Sequence, residues 1–183
     1  MRLPSNMDKS YLRTFIIVLL AICTVTLLDS CKSSKKRNSV KSNSAIKLSR
    51  KKKKRLNQSV ILTSKKFIGT PYKWGGTTRA GMDCSGLLYT SYQLNNISIP
   101  RSSAAQANFG KKVGIHSLRE GDWVFFATGK KRRKITHVGL VTDIRGHEDV
   151  KFIHASTSLG VTESQLFSDY WRKKYIKAIR PFR

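Results

Sequence analysis

At 183 residues and 39% hydrophobic, the chain is long enough for one ordinary domain with a leader, and too short for two well-filled cores. Its 36 Lys and Arg against 10 Asp and Glu give a formal net charge of +26. Such a field favours anionic partners, and cell-wall peptides with free carboxylates fit it as well as nucleic acid does.

The N-terminus reads as an export signal. Arg2, Lys9 and Arg13 precede an apolar run at residues 15–28, "FIIVLLAICTVTLL", which has the length of a signal core and falls short of the roughly 18 residues of a spanning helix. Its end, Leu28-Asp29-Ser30-Cys31, resembles a bacterial lipoprotein cleavage box, with Asp29 an unusual occupant. Cleavage there makes residues 1–30 a signal peptide and Cys31 the lipidated residue that anchors the chain to a membrane. An uncleaved anchor or a buried apolar helix are the other readings of the run. Residues 31–55 turn to Lys, Arg, Ser and Asn with no acid, the composition of a disordered tether. Its densest part, "RKKKKR" at residues 50–55, is drawn to anionic lipid headgroups or phosphorylated envelope polymers, at about 1 kcal/mol per basic residue. Export argues against reading it as a nucleic-acid patch.

From residue 56 the pattern is that of a folded domain, itself basic, with 21 Lys and Arg against 8 Asp and Glu. Val60, Ile61, Ser64, Phe67 and Ile68 share one helical face that stops at Gly69. A glycine-rich loop follows, then a second helix over residues 83–95, with Asp83 as N-cap and Leu87, Leu88 and Leu94 giving it apolar surface to bury. Short β-type runs occupy residues 122–127, 135–143, 151–156 and 176–182. The layout is α+β, helices first and an antiparallel sheet after.

Processing removes Cys23 and lipidates Cys31, which leaves Cys84 as the free thiol. Exported cysteines usually pair, so an unpaired one is either a small buried hydrophobe or a reactive group. At the first turn of a helix, Cys84 feels unpaired amide N–H groups and the positive end of the dipole, both of which favour thiolate. A nucleophile also needs a base. Period-two reading puts Ile135, His137, Gly139 and Val141 on one face of a strand and Phe152, His154 and Ser156 on one face of the next. If the two pair antiparallel, the histidines are neighbours, and a helix carrying Cys84 on that face lines up thiol, imidazole and imidazole. The alternative is that both are satisfied sheet histidines. His116 and His147 sit in polar, loop-like surroundings. A zinc site from Cys84, His137 and His154 lacks any close ligand pair, so no metal and no cofactor is expected.

"GTPYKWGG", "DCSGL", "PRSSAAQ", "GDWVFF", "THVGLV" and "FIHAS" occur in that order between residue 69 and the C-terminus. Together they resemble the NlpC-type cell-wall cysteine peptidases, a papain-like family. The resemblance implies a papain-like fold with N-terminal helices packed on an antiparallel β-sheet, and hydrolysis of peptidoglycan stem peptides at the γ-D-glutamyl-diamino acid bond or a cross-link. It carries the nucleophile onto Cys84, the base onto His137, the polar third residue onto His154, an oxyanion-side tyrosine onto Tyr72, and substrate-stem contacts onto Asp83 and Ser85. Two features depart from the pattern: no second wall-binding module is recognisable, and residues 128–134, "TGKKRRK", lengthen the loop before the His137 strand. Amidase or acyl-transfer chemistry on the same Cys/His pair is the competing enzymatic reading. A non-catalytic basic protein binding envelope or nucleic acid is the reading from a different class.

Overall fold

The computed structural model describes residues 49–131 and 133–182; the apolar run, Cys31 and the basic segment as far as residue 48 lie outside the described residues. The first helix, α1 (Arg50–Lys65), begins six residues before the expected start of the domain and takes in the whole basic run. The reading of residues 50–55 as tether is corrected by three local causes. The Ser49 hydroxyl accepts from the Lys52 N–H at 3.3 Å and caps the helix,. Lys and Arg are good helix formers. Leu56, Val60 and Ile61 seat the next turns on the core. Phe67 is buried as expected, whereas Ile68, in the turn beyond the helix, is 51% exposed.

The second helix, α2 (Cys84–Gln93), starts at Asp83, whose carboxylate accepts from the Gly86 N–H at 2.6 Å. Leu87 and Leu88 are fully buried, but Leu94 falls at the C-cap and is 64% exposed. Tyr92, on the same helix, is fully buried, and its hydroxyl accepts from the Trp123 indole N–H at 2.9 Å.

A two-residue hairpin, β1 (Thr77–Thr78) and β2 (Gly81–Met82), precedes α2, and a short helix, α3 (Ser103–Gln106), follows it. The rest is a six-stranded antiparallel sheet made of β3 (Lys111–Val113), β4 (Trp123–Phe126), β5 (His137–Ile144), β6 (Val150–Ser156), β7 (Gly160–Gln165) and β8 (Tyr175–Arg180), in the order β3-β8-β4-β5-β6-β7. A last helix, α4 (Asp169–Lys174), lies between β7 and β8. The four apolar runs became β4, β5, β6 and β8. The two edge strands, "KKV" and "GVTESQ", carry little apolar pattern, as solvent-facing edges do.

The sheet is buried on both faces. On one, α1 and α2 pack Val60, Leu87, Leu88 and Tyr92 against Trp123, Phe125, Val138, Leu140, Ile153 and Ala155. On the other, Val124, Phe126, Val141, Phe152 and Ala178 are covered by Trp171, Phe167 and Tyr175. This is why "WVFF" reads as an unbroken apolar run. Among the described residues, no helix is long and apolar enough to cross a membrane.

Candidate active site

The site forms where α2 begins and β5 begins. Cys84 is the first residue of α2 and 6% exposed. Its Sγ lies 4.0 Å from the carbonyl oxygen of Thr136, and the Val138 N–H bears on it as well. The thiol is thus set beside the backbone on both sides of His137.

Alternation along the strands places the histidines on the face away from α2. Val138 and Leu140 pack under α2, so His137 and Gly139 turn to the opposite face, where His154 joins Phe152. This corrects the expectation that the Cys84 helix packs on the histidine-bearing face: the thiol meets the strand at its end, from the other side. The two imidazoles do meet each other. His137 Nε2 and His154 Nδ1 are 3.0 Å apart, and His154 Nε2 is 3.0 Å from the Ser164 hydroxyl on β7. Gly139 makes room for this arrangement, because a Cβ there would lie 2.4 Å from Cδ2 of Phe152, whose ring stacks on His154 with centroids 5.0 Å apart.

Trp171 of α4 closes that face. Its indole stacks on His137 at 5.5 Å and 21°, and meets His154 edge-on at 4.8 Å. Burial is the first cause that holds the His137 pKa down, to about 3, with the positive form of His154 adding to it and Asp83 opposing. Burial likewise lowers His154 to about 4. Both rings are therefore neutral at neutral pH. Two tautomer patterns satisfy both contacts; in the one suited to a base, His137 Nε2–H donates to His154 Nδ1 and His154 Nε2–H donates to Ser164 Oγ, leaving His137 Nδ1 as an open acceptor,.

Burial also pushes the Cys84 thiol up, to about 11, against the lowering effect of the Val138 N–H and of the first α2 amides, those of Ser85 and Cys84. The expected dipole effect is present and is outweighed by desolvation. The resting pair is thiol and neutral imidazole.

Asp83 sits behind Cys84 with its acceptor capacity taken up. One oxygen takes the Gly86 N–H, the Ser85 hydroxyl at 3.0 Å and Arg101 Nη1 at 3.0 Å; the other takes Arg101 Nη2 at 2.8 Å and the Gly75 N–H at 2.9 Å. Burial raises its pKa, and the bonds from Arg101, Gly86 and Ser85 outweigh that and hold it below the usual carboxylate range. Through these contacts Asp83 ties the Gly75 loop, the start of α2 and Arg101 into one unit. Ser85 joins it, its hydroxyl also accepting from Arg101 at 2.9 Å. Gly86 leaves space for that loop, since a Cβ would lie 2.1 Å from the Gly76 carbonyl oxygen. Tyr72 is half-buried, and its hydroxyl pKa is raised by burial first and then by Cys84 and Asp83.

Several site residues escaped sequence reasoning. Arg101 and Gln106 both belong to "PRSSAAQ"; Gln106 is fully buried, and its amide donates to the carbonyls of Ser85 and Pro100. An arginine shortly after an apolar Ile-Pro pair was a signal left unused. Ser164 and Trp171 had none, because a polar edge strand and a six-residue helix show no distinctive periodicity.

The NlpC/P60 family model matches residues 69–180, more than half of the chain. The chain belongs to the NlpC/P60 family. Within NlpC/P60, it is 39% identical over 115 residues to the probable endopeptidase NlpC homolog of Haemophilus influenzae, a match covering 62% of this chain and 57% of that protein. It is 38% identical over 113 residues to the murein DD-endopeptidase MepS/murein LD-carboxypeptidase of Escherichia coli K12, covering 61% and 56%. The crystal structure of a Staphylococcus aureus protein described as similar to lipoprotein, of the same family, superposes with a TM-score of 0.61 at 27% identity, over 76% of this chain and 44% of that one. The chain spans little more than half the length of the relatives it matches in sequence. The α+β architecture expected from the motifs, helices packed on an antiparallel sheet, is the one found.

Proposed function

We propose that this NlpC/P60 chain is an envelope-associated cysteine peptidase that hydrolyses peptide bonds in peptidoglycan stem peptides. The observation that carries the reading is the hydrogen-bonded line His137–His154–Ser164, with the Cys84 thiol set against the backbone that flanks His137; with the His137 proton on Nε2, Nδ1 is free to act as base. Family membership and relatives named as endopeptidases support the substrate class.

Cys84 Sγ attacks the scissile carbonyl carbon as its proton passes to His137 Nδ1, so charge develops only when the S–C bond forms. The oxyanion is received by the Cys84 N–H, with the Tyr72 hydroxyl as a second donor. The C–N bond then breaks, and the leaving amine takes the proton from His137. Water, deprotonated by His137, cleaves the thioester and returns the thiol. His154, held by Ser164, keeps the proton of neutral His137 on Nε2 and accepts from the imidazolium. Arg101, held in place by Asp83 and Ser85 and partly exposed, supplies positive charge for the carboxylates of a stem peptide,. On this reading a lipidated Cys31 holds the enzyme at a membrane in the envelope.

Digestion of purified peptidoglycan by wild type and by Cys84→Ala, with product masses, tests the proposal. Stem fragments with a new amine terminus, released by wild type alone, support it. Intact stems freed from sugar identify an amidase instead, and equal release by Cys84→Ala contradicts the assignment of the nucleophile.

A further inference from the structure

One concave feature takes no part in this chemistry. A groove of ≈ 860 Å³ runs between the first half of α1 and the end of β8, with Arg50, Lys51, Lys53, Lys54, Arg119 and Arg180 on its walls. It lies at the far end of β4 from the histidines: Arg180 pairs with Asp122, just before β4, whereas His137 pairs with Phe126 at the other end of the strand.

The charge in this groove is largely unspent. Arg180 is engaged by Asp122 at 2.7 Å, but among the described residues none of the other five cations lies within ion-pair distance of a carboxylate. The single acid on the walls is Glu120. The charges of Arg50, Lys51, Lys53 and Lys54 do not stabilise the helix that carries them. They crowd the positive end of the α1 dipole, where acids are favoured and none is present,, while the packing of α1 rests on Leu56, Val60 and Ile61.

We propose that the groove is a binding site for a phosphorylated glycan, separate from the peptidase site and independent of that assignment. Clustered cations at this density suit a chain of phosphates, and the arginines match phosphate as bidentate donors. Gln58, exposed among them, offers its amide to sugar hydroxyls between phosphates, beside Asn57, whose Nδ2 donates to the Glu120 carbonyl at 3.0 Å. Concavity favours a linear chain over a flat bilayer, which meets ridges rather than cleft walls. Single-stranded nucleic acid sites pair such charge with exposed aromatic platforms, and the aromatic residue of this groove, Phe182, is 3% exposed.

The test uses the full chain and dextran phosphate as probe, with plain dextran, a single-stranded DNA of about 20 nucleotides (longer than the about 4–16 nucleotides a single-strand site takes) and phosphatidylglycerol vesicles as the other arms. Two variants lose the same charge: Arg50→Gln/Lys51→Gln/Lys53→Gln/Lys54→Gln in the groove, and Lys32→Gln/Lys35→Gln/Lys36→Gln/Arg37→Gln upstream of it. Wild type binds dextran phosphate and not dextran; the groove variant binds it roughly tenfold or more weakly, and the upstream variant only about twofold. Arg119→Gln, which leaves α1 untouched, weakens binding about threefold and guards against a helix variant that fails to fold. Equal weakening of dextran phosphate binding in the two four-residue variants, or a larger loss of DNA or vesicle binding than of dextran phosphate binding in the groove variant, overturns the proposal.

Discussion

Two opposed effects meet at Cys84: the first N–H groups of α2 favour a thiolate, burial of Sγ disfavours it, and burial is the larger. With His137 depressed as well, the proton stays on sulfur until a substrate carbonyl is in place. Alkylation of the free protein by iodoacetamide is therefore expected to be slow at pH 7 and to climb with pH toward about 11, where the thiol titrates; fast alkylation with a plateau below pH 8 would instead mark a resting thiolate–imidazolium pair. On the proposed mechanism His154 acts on the same proton from behind, its Nδ1 accepting from His137 Nε2–H. In His154→Ala, kcat for stem-peptide hydrolysis should fall by roughly 10²-fold with KM little changed, which steady-state kinetics will read. The reach of the sequence was longest at this scale. "DCSGL", "THVGLV" and "FIHAS" announced Cys84, His137 and His154 by residue type and order. What they could not announce was which effect wins at the thiol, because desolvation depends on what packs over it, and much of that cover comes from residues far along the chain.

α4 is such a cover. Its Trp171 lies flat on His137 and edge-on to His154, Phe152 and Tyr170, and its removal admits water to both imidazoles. Trp171→Leu is expected to raise the His137 pKa toward the ordinary histidine value in an NMR titration of the Cys84→Ala background, and to cost about 2 kcal/mol of stability by denaturant unfolding. An unchanged titration would mean that other elements keep the pair dry. α4 was illegible in the sequence for a physical reason: six residues make under two turns, too few for a periodic face, and "DYWRKK" divides its apolar and basic side chains between cover and solvent. The first turn of α1 went unread for the opposite reason. Six consecutive cations look like a repelling, solvated segment, and neither the Ser49 cap nor the anchoring of the following turns by Leu56, Val60 and Ile61 is visible in that run itself.

Across the whole molecule, the buried ionisable groups set a stability window in pH. His137 and His154 stay neutral in the fold down to about 3 and 4, while the unfolded chain takes up protons on both below about pH 6.5. The unfolded state therefore binds more protons in that interval, and stability falls as pH drops from about 6.5 toward 4. Cys84 works at the other end: the unfolded thiol ionises near 9 and the folded one near 11, so stability falls again as pH rises between them. Urea midpoints measured from pH 4 to 11 should trace this dome, and a midpoint that rises on acidification below pH 6 would contradict the neutral histidine pair. The α+β class and strands β4, β5, β6 and β8 were legible because apolar alternation and β-branched runs mark half-buried or buried strands. The edge strands were not, since β3 and β7 face solvent and carry polar side chains. The central claim, that Cys84 is the acylated nucleophile, is tested most directly by the protein itself. Wild type quenched in acid during turnover of a stem peptide, then mapped by mass, should carry the acyl half of the substrate as a thioester on residue 84. Continued turnover with Cys84 unmodified, or undiminished turnover in Cys84→Ala, would contradict it.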